Sequence, residues 1–484
     1  MIIASFLFFL TLFLGIGLAS VFRADNSRKD YYLASSGVKP SMAGLSAVAT
    51  NNSGYMFIGV IGYTYVAGLA SIWLMFGWIL GDFLASLFIH KKLRQATERT
   101  GEASFGAVLA KWSGGDMPVW RRMAAIITVI FLGSYSAAQI AAGGKALHGV
   151  LGWEQSTGAW IVALMVLAYS SAGGIRASIW TDVAQSVVML AAMTMLLVAG
   201  VAGLGGVDAV IEAWRAVPDY LDLTPPDMVM PGIAGLLLFI VGWMFAGLSV
   251  IGQPHVMVRF MALDKPESMR AARVWYYSFF IIFYALATGV GMLSRLYLPE
   301  LGGLDPELAL PTLAVELLPP VLVGVVLAGI FAATMSTADS LVLSCSAAIT
   351  HDLARDRLEK PWMLKIATAS VTGLALFIAL RGSSSVFDLV ILSWSTLAVA
   401  FGPMLALLAL GRRVNEVTAI VMMIVGVGVA LAWRQAGLQG MIYEGMPGML
   451  AGLAVGLLMS AVMTPGKAAS FAQSSSSIGR TSTR

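Results

Sequence analysis

The chain is a succession of long apolar runs separated by short polar segments, and each run has the length of a membrane-spanning helix. A helix needs about 20 predominantly apolar residues to cross a bilayer. Counted in this way, the sequence predicts thirteen transmembrane helices, at residues 2–22, 40–66, 71–90, 122–148, 158–173, 180–203, 232–257, 273–296, 316–349, 363–381, 385–410, 416–434 and 446–464. An odd number of spans would place the two termini on opposite sides of the membrane.

The first apolar run, residues 2–22, has the position of a signal peptide but not its layout. A secretory signal carries a basic leader before a short apolar core. Here no basic residue precedes the run, and Arg23, Arg28 and Lys29 follow it. We therefore expect an uncleaved first helix whose N-terminus faces outward.

Basic residues are concentrated in alternate loops. Of the 30 lysines and arginines, 25 fall in the segments 23–40, 90–122, 173–179, 258–273, 350–365, 411–413 and 466–484. Cytoplasmic loops of membrane proteins carry such an excess of positive charge. The distribution predicts that these segments and the C-terminus are cytoplasmic, and that the acidic loop 204–231 faces outward.

Composition narrows the classes of function. The chain is 58% apolar and only 12% charged, whereas soluble domains are about one quarter charged. A single cysteine, Cys345, excludes an internal disulfide, and four histidines leave little for a metal enzyme. Neither a Walker A sequence nor a dinucleotide fingerprint is present. We expect no enzymatic activity, no organic cofactor and no nucleic-acid partner.

Two predicted helices contain polar residues and glycines within the apolar run. The span 40–66 carries Thr50, Asn51, Asn52, Ser53 and Gly54 in succession. Five spans later, the span 232–257 carries Gly242, Gly247 and Gly252 and ends at Gln253-Pro254-His255. Interrupted helices at matching places in two halves indicate the binding site of an inverted-repeat transporter. Alternatively, the polar side chains only hydrogen-bond to neighbouring helices, at about 0.6 kcal/mol for each bond.

A hydroxyl-rich helix within 330–353 carries a carboxylate, Asp339, at membrane depth. A charged side chain at mid-bilayer costs about 2.5–3.5 kcal/mol on insertion scales and requires a partner or a water-filled cavity. Neighbouring hydroxyl groups supply the oxygen ligands that small hard cations prefer; they belong to Ser336, Thr337, Ser340 and Ser344. This helix points to an ion-coupled transporter.

Five stretches resemble the sodium:solute symporter family, and most of all its bacterial sodium/proline symporters. They are residues 45–54, 180–185, 252–262, 332–353 and 400–403. The resemblance implies an all-α polytopic membrane protein with a LeuT-like core of two inverted five-helix repeats. It divides the chain into an extra N-terminal helix with its linker (1–30), a transport core (31–410), two C-terminal helices (411–464) and a polar, disordered tail (465–484).

The resemblance also implies ion ligands. A sodium ion would be held between the first and eighth core helices by carbonyl oxygens of Ala49, Asn52 and Ala333 and the hydroxyl groups of Ser336 and Thr337. The alternative is that these two hydroxyl groups bond to carbonyls one turn earlier. A second sodium site, found in some members, would use Asp182, Asp339 and Ser340. Asp182 has a rival role, capping a helix that begins near residue 180. Protonation of Asp339 is the rival to a second ion, because one of two nearby carboxylates binds a proton more readily unless a cation lies between them.

The solute pocket implied by the resemblance departs from that of the proline symporters. Those proteins carry an aspartate where this chain has Asn51, and aromatic residues where it has Ala246 and Val250. Trp243, one turn earlier, could cover part of that space. The candidate pocket residues are Asn51, Ser53, Tyr135, Gln139, Trp243 and Ser393.

The resulting expectation is a sodium-coupled symporter that carries a small organic solute into the cell by alternating access. The solute would be an amino acid such as proline, or a related zwitterion or carboxylate. We expect a monomer in the bacterial inner membrane, with sodium, the solute and lipid as its partners. Two alternatives remain open at this point: a proton-coupled symporter that uses Asp182 and Asp339, and a membrane sensor of solutes.

Overall fold

The computed structural model describes residues 1–25, 27–299, 305–354, 360–382 and 386–462. These residues are helical almost throughout, and the described ranges contain no β-strand, only an isolated bridge between Val38 and Leu263. The α-helices are α1 (Ile2–Ala19), α2 (Arg28–Leu33), α3 (Pro40–Tyr55), α4 (Ile61–Ala67), α5 (Ile72–Ala85), α6 (Lys91–Thr100), α7 (Phe105–Lys111), α8 (Pro118–Leu151), α9 (Gln155–Gly203), α10 (Val207–Arg215), α11 (Gly232–Leu248), α12 (Pro254–Met261), α13 (Met269–Tyr297), α14 (Ala309–Leu317), α15 (Pro320–Ala347), α16 (Pro361–Arg381), α17 (Val386–Ala409), α18 (Glu416–Gln435) and α19 (Gly445–Val462).

Ten segments of the described chain are long and apolar enough to cross a membrane, and the apolar part of α19, Gly445–Ala461, is shorter. One of the ten, Pro40–Thr100, contains two of the predicted spans. The predicted spans 158–173 and 180–203 likewise form one helix, α9, which bends at Gly174 (φ 56°, ψ −142°). The total of thirteen spans therefore stays a prediction. The predicted tail 465–484 lies outside the described residues.

Local sequence signals account for many helix ends. Proline occupies the first turn of α3, α8, α12, α15 and α16, where its missing N–H breaks no helical bond. Ser104 caps α7 through the N–H of Ala107, and Asn415 caps α18 through the N–H of Thr418. The helices therefore begin where local chemistry favours them.

Both predicted interruptions are confirmed. Ser53, inside α3, has non-helical angles (φ 44°, ψ 179°). Between α11 and α12, a 3₁₀ turn at Ser249–Gly252 leads to the extended residue Gln253 (φ −100°, ψ 97°). Each interruption releases backbone groups at the centre of the protein.

The fold is LeuT-like, and the two inverted repeats that the family resemblance implies would comprise α3–α9 and α11–α17. The two repeats meet closely where α5 crosses α11. A Cβ atom on Gly81 would lie 1.9 Å from the carbonyl oxygen of Met244, and one on Gly247 would lie 1.9 Å from that of Trp78. Only glycine permits such close backbone approach.

The helix α15 lies at the centre of this arrangement and packs against α3, α8 and α9. In the most apolar window of Pro320–Leu353, 83% of the residues are buried, against 22% for Ile2–Arg23. The hydroxyl groups of α15 therefore face other helices rather than lipid.

Candidate functional site

The interrupted helix α3 and the central helix α15 contact each other through hydroxyl groups and backbone carbonyls. The Ser336 hydroxyl lies 3.2 Å from the carbonyl oxygen of Ala49 and 3.0 Å from that of Ala333, and can donate to either. The Thr337 hydroxyl donates to the carbonyl oxygen of Thr50 at 2.8 Å. All of these residues are buried. The contact gathers four of the five predicted sodium ligands.

The fifth predicted ligand, Asn52, lies in the same turn of α3 and is 1% exposed. Neither the side-chain nitrogen nor the side-chain oxygen of Asn52 has a hydrogen-bond partner among the described residues. The alternative of local back-bonding applies to Ser336, whose second acceptor is Ala333 three residues earlier. It does not describe Thr337, whose acceptor belongs to another helix.

A second buried cluster surrounds the guanidinium group of Arg259 on α12. Its Nη2 donates to Ser178 Oγ at 2.6 Å, to Ser340 Oγ, and to Asp182 Oδ2 at 3.5 Å. Asp339 Oδ1 accepts from Ser178 Oγ at 3.0 Å and lies 2.9 Å from Ser340 Oγ. The structure therefore brings Asp182, Asp339 and Ser340 together, as the second site requires, but around an arginine.

The structure contradicts one rival role of Asp182 and the placement of Arg259 in a loop. Asp182 lies well inside α9, and its Oδ2 accepts from Ser46 Oγ at 2.6 Å, so it does not cap a helix start. Arg259 was counted among the basic residues of a cytoplasmic loop, but it is fully buried.

Three of the predicted pocket residues lie together where α3 is interrupted. The backbone N–H of Gly54 donates to Gln139 Oε1 at 2.7 Å. Tyr135 lies near the side chain of Ser53 and edge-on to the ring of His255, with 5.6 Å between ring centroids. Neither ring nitrogen of His255 has a hydrogen-bond partner among the described residues. These groups can bind a polar ligand at the break.

The remaining predicted pocket residues are distributed differently. Trp243 stacks on Trp78 at 6.0 Å, and Trp78 packs against Trp394 at 5.6 Å. Ser393 is buried on α17 beside Trp394. Asn51 points elsewhere, because its amide donates to Tyr276 at 2.6 Å and to the carboxylate of Asp82 at 3.2 Å.

Sequence reasoning missed several residues at this site. They are Trp78, Asp82, His255 and Trp394. Of these four residues, only His255 lies in a segment that the sequence marks as unusual, because it ends the second interrupted span.

A cavity of about 300 Å³ opens beside Trp243, on the side of the loop 204–231. Its lining includes Tyr63, Trp243, Arg434, Tyr443 and Glu444. Arg434 donates to Glu444 at 2.8 Å. This volume falls at the lower end of the range for small-molecule sites.

Ion pairs hold the helices together beyond the C-terminal end of α15. Asp352 accepts from Arg121 Nε at 2.8 Å and from Ser104 Oγ at 2.7 Å. Glu102 pairs with His351 and Lys111. Burial would raise the pKa of Glu102, but the hydrogen bonds and charges of these two partners outweigh it and lower the pKa to about 2. Charged contacts therefore join α8, the segment before α7 and the residues that follow α15.

Known transporters are similar to this chain over almost its whole length. The high-affinity proline transporter PutP of Bacillus subtilis is 29% identical over 443 residues, which cover 89% of this chain and 92% of PutP. The sodium/proline symporter of Escherichia coli is 28% identical over 467 residues, which cover 93% of this chain and 90% of that protein.

A solved structure shares the fold. A Na⁺-coupled sialic acid symporter in a substrate-bound, outward-open state superposes with a TM-score of 0.83 and 18% identity, covering 96% of this chain and 98% of that chain. The sequence pattern described as the sodium:solute symporter family matches residues 31–426. Since that pattern spans most of the sequence, the chain belongs to the sodium:solute symporter family.

Proposed function

We propose that this protein is a sodium-coupled symporter that moves a small zwitterionic or carboxylate solute, such as proline, into the cell. The contact between α3 and α15 carries the proposal, because it gathers uncharged oxygens in the centre of a membrane protein. Family membership and the proline symporters among the relatives support it.

The sodium ion would bind between the carbonyl oxygens of Ala49, Asn52 and Ala333 and the hydroxyl groups of Ser336 and Thr337. A neutral set of oxygens suits a monovalent cation, whereas calcium sites usually include several carboxylates. Ser336 and Thr337 now donate to carbonyls. With sodium present, each hydroxyl group would rotate so that a lone pair of its oxygen points to the ion. Binding would then stiffen the interrupted part of α3.

The cluster of Asp182, Asp339 and Ser340 is our proposal for a second cation. Two carboxylates face one guanidinium group, so the ionised cluster would carry one net negative charge. Asp182 Oδ1 and Asp339 Oδ2 are buried without hydrogen-bond partners among the described residues. A second sodium ion would neutralise the cluster, and a proton on one carboxylate would do the same. This second possibility keeps proton coupling as the rival function.

The solute would occupy the region between the break in α3 and the tryptophans of α5, α11 and α17. Ser53, Tyr135 and Gln139 supply polar groups on one side of this region, and Trp243 and Ser393 lie on the other. The adjoining cavity offers a path to it from the side of the loop 204–231. We place that side outside the cell, with the N-terminus outside and the C-terminus cytoplasmic, from the loop charges.

Sodium entry can drive accumulation. One cation crossing about 100 mV releases about 2.3 kcal/mol, and a tenfold sodium gradient adds about 1.4 kcal/mol. Together these hold a neutral solute at several-hundredfold accumulation, since each 1.4 kcal/mol corresponds to about tenfold. We propose that a monomer performs this by alternating access, with the charged contacts around Glu102 and Asp352 closing the cytoplasmic end.

Proteoliposomes that contain only this protein test the proposal. Radiolabelled proline, a betaine and a monocarboxylate are offered with an inward sodium gradient, with an inward proton gradient alone, or with neither. Uptake that requires the sodium gradient supports symport. Uptake driven by the proton gradient without sodium would select the proton-coupled rival, and binding without flux would indicate a sensor.

A further inference from the structure

A buried carboxylate on α5, Asp82, has no part in the mechanism proposed above. It is fully buried, and it accepts three hydrogen bonds. Tyr277 donates to Oδ1 at 2.6 Å, Tyr276 donates to Oδ2 at 2.7 Å, and the Asn51 amide donates to Oδ2 at 3.2 Å. No basic side chain of the described residues forms an ion pair with Asp82, whereas Asp182 has Arg259.

The hydrogen-bond donors around Asp82 favour its ionised form, against the cost of its burial. An amide nitrogen can only donate, and the second hydrogen of the Asn51 amide points to the Tyr276 hydroxyl at 2.6 Å. Tyr276 must then direct its own proton to Asp82. A carboxylate that receives donors on both oxygens is stabilised in its charged form. The three donors thus offset part of the cost of burying a charge at Asp82.

The position of this charge relates it to the coupling cation. Asn51, which bonds to Asp82, stands between Thr50, the acceptor of the Thr337 hydroxyl, and Asn52, a proposed sodium ligand. The proposed ligands themselves are all neutral. Charge interactions through a protein interior persist over about 10 Å, the width of a helix. A cation at the break in α3 would therefore be attracted by Asp82 across the helix.

We infer that Asp82 supplies a fixed negative charge that helps to retain the coupling cation at the neutral oxygens of α3 and α15. The inference rests on the proposed sodium site. The Asp82 carboxylate lies one hydrogen bond from Asn51, on the neighbouring helix α5. Asp82 is a positioning residue, since Tyr276, Tyr277 and Asn51 separate it from the ion.

Binding of ²²Na⁺ to the purified full-length protein tests this role. Asp82→Asn keeps the shape of the side chain and removes its charge, and we expect sodium affinity to fall by about tenfold, from the Coulomb attraction at about 10 Å. Proline affinity at saturating sodium should stay the same. The matched control is Asp208→Asn, which removes an exposed carboxylate in the first turn of α10 and should leave sodium affinity unchanged.

Exchanging the two side chains separates charge from packing. The double variant Asn51→Asp with Asp82→Asn keeps one amide and one carboxylate in contact and restores the charge, so sodium affinity should return close to that of the unaltered protein. Asn51→Asp alone places two carboxylates in contact and should impair folding, because like charges at this distance repel each other. A double variant that folds but binds sodium about tenfold more weakly than the unaltered protein would overturn the inference, even if Asp82→Asn itself did not fold.

The inference and the proposed sodium site fail in different ways. If Asp82→Asn binds sodium normally while substitution of Ser336 and Thr337 weakens binding, the site stands and the role of Asp82 is refuted. If the Ser336 and Thr337 variant also binds sodium normally, the site itself is refuted.

Discussion

Replacing both Ser336 and Thr337 by alanine is the most direct test of the site between α3 and α15. Both hydroxyl groups are fully buried, so water cannot readily replace them. A hydrogen bond to a charged group contributes about 1.5–3 kcal/mol, and we take the same range for each contact between a hydroxyl oxygen and sodium. Losing two such contacts should weaken sodium binding by at least about 3 kcal/mol, which is more than a hundredfold in Kd.

The same substitutions have a smaller effect on folding. In the absence of sodium, the double variant loses the bonds to the carbonyl oxygens of Ala49 and Thr50, each of which contributes about 1 kcal/mol to stability. Sodium binding should therefore suffer more than the Tm measured without sodium. This difference separates a ligand role from a packing role.

The assay is ²²Na⁺ binding to the purified protein, together with the sodium dependence of proline uptake in proteoliposomes. Thr372→Ala is the matched control, because the Thr372 hydroxyl donates only to the carbonyl oxygen of Thr368 within its own helix. The control should keep the sodium affinity of the unaltered protein. If the Ser336 and Thr337 variant folds and its sodium dependence is unchanged, the assignment of these ligands is refuted.

Three further predictions concern charge, pH and packing. Asp182→Asn should change the charge moved per proline in voltage-clamped proteoliposomes if a second cation binds; an unchanged ratio of charge to flux would refute the second site. The contacts with His351 and Lys111 lower the pKa of Glu102 to about 2, from an ordinary value of 4.5 for the free side chain. They therefore stabilise the protein above pH 4.5, and this contribution is lost as the pH falls towards 2. The difference in unfolding free energy between the unaltered protein and Glu102→Gln should therefore become smaller as the pH is lowered through that range. Gly81→Ala places a methyl group against the Met244 carbonyl and should cost about 1–3 kcal/mol, seen as a lower Tm. Gly133→Ala should not lower the Tm, because no atom of a neighbouring element in the described chain lies within 4 Å of its new methyl group.

Part of the site could be predicted from the sequence because the signals were local. Polar residues and glycine in the middle of an apolar run weaken the helix and mark Ser53 as an interruption. The ladder of hydroxyl groups around Ser336 follows helical spacing, so these groups share a face wherever α15 lies. Their pairing with Ala49 followed from family resemblance, not from any local pattern.

Other parts could not be predicted because they depend on contacts between distant residues. Arg259 reads as a loop charge beside Lys265 and Arg270, yet α12 carries it into the interior, where Asp182 and Asp339 compensate its charge. Asp82 reads as an isolated carboxylate in an apolar helix. Its partners, Asn51 and Tyr276, lie on two other helices.

The sequence by itself determined that the chain crosses the membrane many times and that two of its helices are interrupted, because run length and helix-breaking residues act within a few positions of the chain. The tertiary structure alone decided which buried charges meet. That depends on how each helix is rotated and how closely α5 approaches α11 at Gly81 and Gly247. At such contacts the low dielectric of the interior makes every pairing of charges consequential, and no local pattern records it.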